Sequence, residues 1–188
     1  MNLSEPQALQ ACQQGDSTQF GVLYDMYFDR VYRFVYYKTF HTETAEDLTS
    51  QIFMKALEHI VDYNQAKGSF LNWIYQIARH TVIDYYRQVK PQLSIDDVWD
   101  LQSKQDVALD VERSHLIEKI QDYLQTLNSE QREIITLRLW EGFTYKEIAK
   151  ILSKTEASCK MMYLRAVTKM QEQIILVLFL AIINYLSI

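Results

Sequence analysis

The chain has 188 residues, a formal net charge of −5 and 48% hydrophobic residues, and it contains only four glycines and two prolines. This length suits one domain or two small ones. Because Gly and Pro are scarce and helical spacing of apolar residues fills nearly every window, the composition argues against a sheet-rich fold and predicts an all-α protein.

The residues that enzymes and metal proteins need are not grouped in this sequence. The four histidines are scattered without metal-ligand spacing. There is no Gly-rich phosphate loop, no evident nucleophile–base pair, and no paired spacing between Cys12 and Cys159. We therefore expect no catalytic activity, no metal and no cofactor. No signal peptide precedes the first predicted helix, which predicts a cytoplasmic location.

The first long predicted helix runs from Phe20 to Tyr37 and is rich in aromatic residues. Its apolar stripe has the i, i+3/i+4 spacing of an amphipathic helix and consists of Phe20, Leu23, Tyr24, Tyr27, Val31 and Phe34. A second helix is predicted from Ala45 to about Ile60, and the residues expected to point inward are Leu48, Ile52, Phe53, Ala56 and Leu57. Four polar residues lie off that stripe: Asp47, Ser50, Gln51 and Lys55.

A third helix, from Phe70 to Arg87, mixes aromatic and basic residues. Its helical stripe predicts a core role for Trp73, Ile74, Ile77 and Ile83. Aromatic rings beside basic groups can also hold bases that have left the stack of a single strand, and the residues that supply this mixture are Trp73, Tyr75, Arg79, His80, Tyr85, Tyr86 and Arg87. The better DNA candidates are Arg79, His80 and Arg87, because their neighbours occupy the apolar face.

Charge is distributed unevenly along the chain. Residues 67–90 carry a net charge of +3 and residues 128–188 carry +2, whereas residues 91–127 carry −5. Basic segments are those expected to contact phosphates. The acidic stretch opens at Pro91 and predicts an interdomain linker that leads into a helix at about residues 111–127; on composition alone, a solvated charge run is the more probable interpretation.

A helix-turn-helix is predicted near the carboxy terminus. A helix with a cap signal at Asn128 and a Gly stop at Gly142 comes first, and its expected apolar stripe is Ile134, Ile135, Leu137 and Leu139. Thr144 and Glu147 then form a capping-box pattern for a short helix lined by Ile148, Ala149 and Leu152. After a break at residues 153–155, a second motif helix has an inner face of Cys159, Tyr163, Ala166 and Met170 and an outer face of Ser158, Lys160, Met161 and Arg165. Such a helix usually enters the DNA major groove, although an ordinary helical hairpin is the alternative for this segment alone.

These carboxy-terminal helices resemble the promoter-binding domain of bacterial RNA polymerase sigma factors. The matching residues are Leu127, Gln131, Arg132, Leu137, Arg138, Glu141, Gly142, Thr144, Tyr145, Glu147, Ile148 and Ala149. The amino-terminal half is similar to the first domain of extracytoplasmic-function sigma factors, in the residues Ala45, Glu46, Asp47, Leu48, Phe53, Phe70, Trp73, Ile74, Ile77, Ala78, Arg79, Ile83, Asp84 and Arg87. The resemblance covers about residues 20–172.

The resemblance implies a division of the chain and a partner for each part. Residues 1–90 would form sigma region 2, which docks on core RNA polymerase and recognises and melts the −10 element. Residues 91–112 would form the acidic linker, whose Asp96, Asp97 and Asp100 would mimic nucleic-acid charge in the polymerase channel. Residues 113–172 would form region 4, which reads the −35 element, and residues 173–188 an apolar tail. An anti-sigma factor is a further partner that the resemblance allows but does not require.

Individual site residues also follow from the resemblance. In region 2, the loop at residues 62–69 would capture a flipped −10 base through Asn64, Lys67 and Ser69, while Arg79, His80 and Arg87 would contact the DNA beside it. Polymerase docking would fall to Asp47, Ser50, Gln51 and Lys55. In region 4, the −35 contacts would come from Ser158, Lys160, Met161 and Arg165.

The sequence departs from the family pattern in several places. His80 stands where Asn is common, and Ser50-Gln51 stands where many relatives have Gln-Glu. In the helix-turn-helix, Ser153 replaces the common turn Gly, and Lys154 replaces a residue that is usually apolar and buried. Met162 stands where an Arg beside the DNA is frequent. A missing base contact costs about 1–3 kcal/mol, so we expect a weak or unusual −35 element.

The tail from Ile174 to Ile188 is apolar nearly throughout. As a helix it would span about 22 Å, which is short of the roughly 30 Å hydrocarbon core of a bilayer. Packing on the second domain or a partner, weak association with a membrane surface, and an accident of reading frame all stay open. Two rival functions also remain: a DNA-binding repressor or activator that never joins polymerase, and a membrane-tethered interaction protein.

Overall fold

The computed structural model describes residues 3–89, 124 and 127–186, with the backbone alone from residue 172 onward. Helices and short helical turns are the regular structure in these ranges, and no strand occurs among them. The all-α prediction is therefore confirmed. The described residues form two compact units. The predicted linker with Asp96, Asp97 and Asp100, and most of the helix expected at about residues 111–127, lie outside the described residues.

The first unit contains four helices in chain order. They are α1 (Glu5–Gln13), α2 (Phe20–Thr39), α3 (Thr42–Glu58) and α4 (Phe70–Val89). A capping box at Ser4 begins α1, and the ring of His41 accepts a hydrogen bond from the backbone N–H of Thr44 at the start of α3. Two 3₁₀ turns, Ile60–Asp62 and Gln65–Lys67, connect α3 to α4.

The core of the first unit is built from the predicted stripes of α2, α3 and α4. Its largest fully buried side chains are Leu23, Phe34, Leu48, Ile52, Phe70, Ile74 and Tyr75. Four residues depart from the prediction: Tyr24 is 37% exposed, and three others are only half-buried, namely Leu57, Trp73 and Ile77. All four lie on the expected apolar helix faces, but the neighbouring helices cover them incompletely.

Two tyrosines predicted as candidates for binding bases belong to this core instead. Tyr75 is fully buried and its hydroxyl donates to the carbonyl of Arg30 at 3.2 Å. Tyr86 is also buried and donates to the carbonyl of Lys38 at 3.0 Å. Because both hydroxyls are occupied inside the unit, the prediction that these two side chains face a nucleic acid is wrong.

The second unit contains the predicted helix-turn-helix. Its helices are α5 (Ser129–Ile135), α6 (Tyr145–Leu152) and α7 (Glu156–Leu186), and α5 continues into a π-helical turn, Thr136–Trp140. Asn128 and Gln131 form a capping box at α5. Thr144 and Glu147 form the predicted one at α6, where the Thr144 N–H donates to Glu147 at 2.8 Å. Gly142 has a φ of +72°, a left-handed conformation that favours glycine and ends the first helix as expected.

The core of the second unit also follows the predicted stripes, with four departures: three predicted inner residues, Ala149, Tyr163 and Met170, are only half-buried, and the fourth is Leu139. Its buried apolar side chains include Leu124, Leu127, Ile134, Ile135, Leu137, Ile148, Ile151, Leu152, Cys159, Met162 and Ala166. Leu139, predicted to be inward, is 53% exposed. It lies in the π-helical turn, whose wider i→i+5 hydrogen bonding rotates side chains away from the positions that a 3.6-residue period assigns.

A buried arginine fixes the start of the second unit. Arg132 is 3% exposed. Its Nε donates to the carbonyl of Leu124 at 2.9 Å, and a terminal guanidinium nitrogen donates to that of Leu127 at 3.0 Å. The family motif residue Arg132 therefore has a structural role here: it joins α5 to the chain that precedes it.

Candidate nucleic-acid and partner interfaces

The loop between α3 and α4 is held in shape by its own side chains. The Asn64 side chain accepts a hydrogen bond from the N–H of Ala66 at 2.9 Å, and the Tyr63 hydroxyl donates to the carbonyl of Gly68 at 3.1 Å. Gly68 has a φ of +155°, which residues with a side chain rarely adopt. These bonds fix the segment that was predicted to capture a flipped base.

Within the first unit, this loop and the first two turns of α4 line a concave surface. Its lining residues include Asp62, Tyr63, Asn64, Lys67, Ser69, Asn72, Trp73 and Gln76. Behind the loop lie three aromatic rings, because Tyr63 packs 5.7 Å from Phe70 and 5.4 Å from Trp73 between ring centroids. An exposed Lys67 beside a half-buried Trp73 is the combination that a stacked base and its phosphate require.

The predicted −10 residues divide between this surface and the rest of α4. Asn64, Lys67 and Ser69 lie together on the loop and are exposed, although Ser69 Oγ also accepts a bond from the N–H of Asn72 at 3.2 Å. On α4, His80 and Arg87 are exposed and Arg79 is half-buried.

Arg87 forms a surface ion pair with Asp84 at 3.6 Å. A surface pair of this kind is worth little, so Arg87 stays available to another anion.

The outer face of α3 presents a mixed polar and apolar surface. Asp47, Ser50 and Gln51 are exposed as predicted. Met54, three residues after Gln51, is 59% exposed and was missed by the sequence analysis. The spacing 47, 51, 54 places it on the same helix face, so helical periodicity could have found it.

Lys55 differs from the other three residues predicted for docking. It is half-buried, and its Nζ donates to Thr81 Oγ1 at 3.1 Å. The amine therefore joins α3 to α4, and Lys55 is less accessible to a partner than the other three residues, for which docking stays a prediction as it does for Lys55.

The turn of the helix-turn-helix accommodates both unusual residues. Ser153 has a φ of +54°, which is the left-handed conformation that explains why glycine is common there. Lys154 is only partly exposed, and its Nζ lies 2.6 Å from Glu130 Oε1 on α5. An ion pair thus takes the place of the apolar contact that the family pattern would supply.

The first turns of α7 present a polar and basic face. Lys160, Met161 and Arg165 are exposed, and Ser158 is partly exposed. The Lys160 ammonium lies 5.8 Å from the ring centroid of Tyr145, which orients it by a cation–π contact. Leu164, 54% exposed on the same side, was not predicted.

Met162 does not belong to this DNA-facing set. It is 8% exposed and lies in the core of the unit, where the Ser158 hydroxyl approaches its sulfur at 4.0 Å. At the position where the family pattern has an Arg beside the DNA, this chain therefore has a buried methionine.

The titratable groups with raised pKa values are buried rather than grouped into a reactive centre. Burial raises the pKa of Cys12 and of Cys159, so both thiols stay protonated and weakly reactive. Burial, followed by a hydrogen bond with Glu5, also raises the pKa of Tyr27. Among the described residues, no group of three or more His, Cys, Asp or Glu side chains could hold a metal ion.

Family models match both units. The Sigma-70 region 2 model matches residues 23–91, and the Sigma-70 region 4 model matches residues 117–170. The chain is 34% identical over 167 residues to the ECF RNA polymerase sigma factor BldN of Streptomyces coelicolor, covering 85% of this chain and 61% of BldN. The chain thus spans about three fifths of the length of that relative.

Two further proteins give a similar result. The ECF RNA polymerase sigma factor SigM of Bacillus subtilis is 33% identical over 145 residues, covering 77% of this chain and 88% of SigM. The sigma factor RpoE, solved with the anti-sigma factor NepR from Bartonella quintana, shares the fold at a TM-score of 0.64 and 21% identity, covering 81% of this chain and 94% of that one. In the described part of the chain, no helix is long and apolar enough to cross a membrane.

Proposed function

Because the chain belongs to the extracytoplasmic-function class of sigma-70 family RNA polymerase sigma factors, we propose that it binds core RNA polymerase, directs it to −10 and −35 promoter elements and promotes promoter melting. The observation that carries this proposal is the presence of both sigma domains in one chain, in the family's order. The protein itself catalyses no reaction. It supplies recognition, and the polymerase supplies the chemistry.

Polymerase docking falls to the outer face of α3. Asp47, Ser50 and Gln51 are exposed there, and Met54 adds an apolar centre to the same face. An exposed methionine surrounded by polar groups is typical of a surface that is covered by a protein partner. In the family, this surface contacts the clamp helices of the largest polymerase subunit.

Capture of the −10 element falls to the loop at residues 62–69 and to α4. The half-buried Trp73 offers a ring face for a base that has left the duplex, and Lys67 offers a charge for its phosphate. Asn64 and Ser69 line the same surface. Arg79, His80 and Arg87 follow along α4, where they would contact the adjoining duplex.

Reading of the −35 element falls to the first turns of α7. Lys160 lies near the helix start, where major-groove helices contact bases, and Arg165 lies farther along, where phosphates are in reach. Ser158 and Met161 complete the exposed face. The ion pair of Lys154 with Glu130 holds the turn that aims this helix.

We include an anti-sigma factor among the proposed partners because the fold relative RpoE was solved in complex with one. Placement of the sigma factor in the cytoplasm belongs to the same proposal. A repressor or activator that works without polymerase would account for the second unit but would leave the exposed face of α3 and the aromatic loop of the first unit without a role.

A run-off transcription assay tests the proposal. Core RNA polymerase incubated with the purified chain and a genomic template library should yield discrete transcripts that core enzyme alone does not produce. If the chain is a repressor or activator instead, it will bind DNA without generating new start sites.

Docking is tested separately by the double substitution Asp47→Lys, Gln51→Lys. It should abolish co-purification with core polymerase, because two lysines would replace the acidic and neutral groups at the centre of the α3 face, while helicity stays unchanged. The matched control is Asp84→Lys, Gln88→Lys on α4, which has the same spacing and the same change of charge. Equal loss of binding in both variants would mean that net charge, rather than the α3 face, controls assembly.

A further inference from the structure

The first helix of the chain contacts the loop that leads to the concave surface. Gln13, at the end of α1, donates from its Nε2 to the carbonyl of Tyr63 at 2.7 Å and to the carbonyl of Ile60 at 3.3 Å. The two donor–acceptor pairs are separated by 50 and 47 residues in the sequence. One amide group therefore connects the amino terminus of the unit to the start of the candidate −10 loop.

These two carbonyls lie where the backbone changes from a 3₁₀ turn to an extended conformation. Tyr63 follows the 3₁₀ turn Ile60–Asp62 and is itself extended, with φ −64° and ψ 129°. The Ile60 carbonyl already accepts the turn bond from the Tyr63 N–H at 3.2 Å. Gln13 binds the same carbonyl and the next one outward, so it fixes how the chain leaves the turn.

The side chain of Tyr63 connects this restrained backbone to the base-binding surface. Its ring packs on Phe70 and Trp73, and its hydroxyl donates to the carbonyl of Gly68 on the far side of the loop. A change in the backbone at Tyr63 would therefore move Trp73 and Lys67 relative to each other. Their separation determines which base fits between the ring face and the loop.

We infer that Gln13 is a positioning residue for −10 recognition: by binding the carbonyls of Ile60 and Tyr63, it holds the loop in the shape that discriminates one flipped base from another. This inference rests on the proposed function of the loop. It adds a part of the chain that lies before residues 23–91, the range matched by the region 2 model. Gln13 itself contacts no DNA in this account.

The test uses holoenzyme reconstituted from core polymerase and the full chain. Single-stranded DNA oligonucleotides are selected with wild-type holoenzyme from a synthetic pool randomised across the −10 element, and the four base variants at the most selective position are then measured by fluorescence anisotropy. Gln13→Glu is isosteric but its carboxylate cannot donate to the two carbonyls, and it should lose about tenfold in affinity for the preferred base, as expected when both part-buried hydrogen bonds are lost. The ratio of the affinities for the preferred and the rejected bases should also fall in this variant.

Two control variants separate positioning from general stability. Gln10→Ala, on an exposed residue one turn earlier in α1, should keep wild-type discrimination. Gln13→Lys, which restores a donor at the same place, should recover most of it. Circular dichroism at the assay temperature should show that all three variants are folded, and core-polymerase binding should be unchanged in all three.

The outcomes distinguish this inference from the proposed function. If Lys67→Ala weakens oligonucleotide binding but Gln13→Glu keeps both affinity and base discrimination, Gln13 does not position the loop and the inference is overturned. If neither substitution has an effect, or if wild-type holoenzyme selects no sequence, the loop is not the −10 site and both proposals fall. Loss of discrimination in Gln13→Glu with recovery in Gln13→Lys supports the inference.

Discussion

In the first unit, hydrogen bonds between distant residues fix the surfaces that would meet DNA and polymerase. Gln13 donates to Tyr63 across 50 residues, Tyr86 to Lys38 across 48, and Tyr75 to Arg30 across 45. Among the described residues of the second unit, many of the corresponding bonds are caps that span three residues, as at Asn128–Gln131, Thr144–Glu147 and Thr155–Ser158.

This difference matches the kind of binding surface that each unit has to position. A base-capturing surface is assembled from a loop and two helices, so its geometry depends on contacts across the whole unit. A recognition helix presents its side chains by its own periodicity, so the rest of the unit only has to orient that helix toward the DNA. Substitutions should therefore act at a distance in the first unit and locally in the second.

The largest effect on stability should come from Arg132, which is buried in the second unit and donates to two carbonyls outside its own helix. Arg132→Ala removes two hydrogen bonds from a buried cation to the carbonyls of Leu124 and Leu127. We expect a loss of about 3 kcal/mol in the unfolding free energy of this unit, since bonds to charged donors are stronger than neutral ones. Peptide-resolved hydrogen exchange would show faster exchange in α5 and α6 but not in α1–α4, and exposed Arg165→Ala serves as the control. Equal exchange in wild type and Arg132→Ala would contradict the buried anchor.

The next effect concerns DNA recognition by α7 and tests how local it is. Lys160→Ala should cost about 1–3 kcal/mol in binding, concentrated at one base pair, if the ammonium reaches a base edge. Arg165→Ala should weaken binding on every sequence by a similar factor and reduce the salt dependence, because it would remove a phosphate contact. Neither change should alter folding, since both side chains are exposed. If both variants bind −35 duplexes with wild-type affinity, Lys160 and Arg165 do not contact the −35 element.

A smaller effect tests the long-range bonds of the first unit. Tyr86→Phe should lower its unfolding free energy by about 1 kcal/mol, because the buried carbonyl of Lys38 loses its donor. Tyr85→Phe, at the adjacent and only half-buried position, should cost less. Urea unfolding would measure both variants, and equal midpoints would show that the Tyr86 hydroxyl does not stabilise the unit.

The smallest effect is a pH dependence at the contact of α1 with α2. Because burial and Glu5 raise the pKa of Tyr27, the folded state keeps this proton more tightly than the unfolded state. The resulting stability is fully present below the unfolded pKa of about 10 and is lost as the pH rises through the folded pKa. Tyr27→Phe should therefore lose less stability than wild type when urea unfolding is repeated at about pH 9 and about pH 11. Parallel losses in the two proteins would rule out this contribution.

The same comparison explains what could be predicted from the sequence. The caps at Asn128 and Thr144 are local signals, and each was predicted from neighbouring residues. The Lys154 ion pair was not, because its partner Glu130 lies 24 residues earlier on another helix. Gln13 escaped prediction for the same reason, since nothing near it in the sequence points to Tyr63.

Burial was predictable only where helical spacing and tertiary coverage agree. Tyr75 and Tyr86 were proposed to face DNA because they are aromatic and lie near basic residues, yet a neighbouring helix covers both. Tyr24 has core spacing but stays partly exposed, and Met162 is buried although the family pattern has an Arg beside the DNA at its position. Periodicity identifies a face; it does not determine how far the adjoining helices extend over it.

Site-directed DNA cleavage tests the central claim that the two units divide the promoter between them. Both native cysteines, Cys12 and Cys159, are buried, so a single cysteine introduced at an exposed position can carry an iron chelate before the holoenzyme is assembled. Gln65→Cys places the probe in the candidate −10 loop, and Ala157→Cys places it at the start of α7.

We predict that on one promoter the probe at residue 65 cleaves around the −10 element and the probe at residue 157 cleaves around the −35 element. Cleavage of the same segment by both probes, or of neither element by either, would contradict the account.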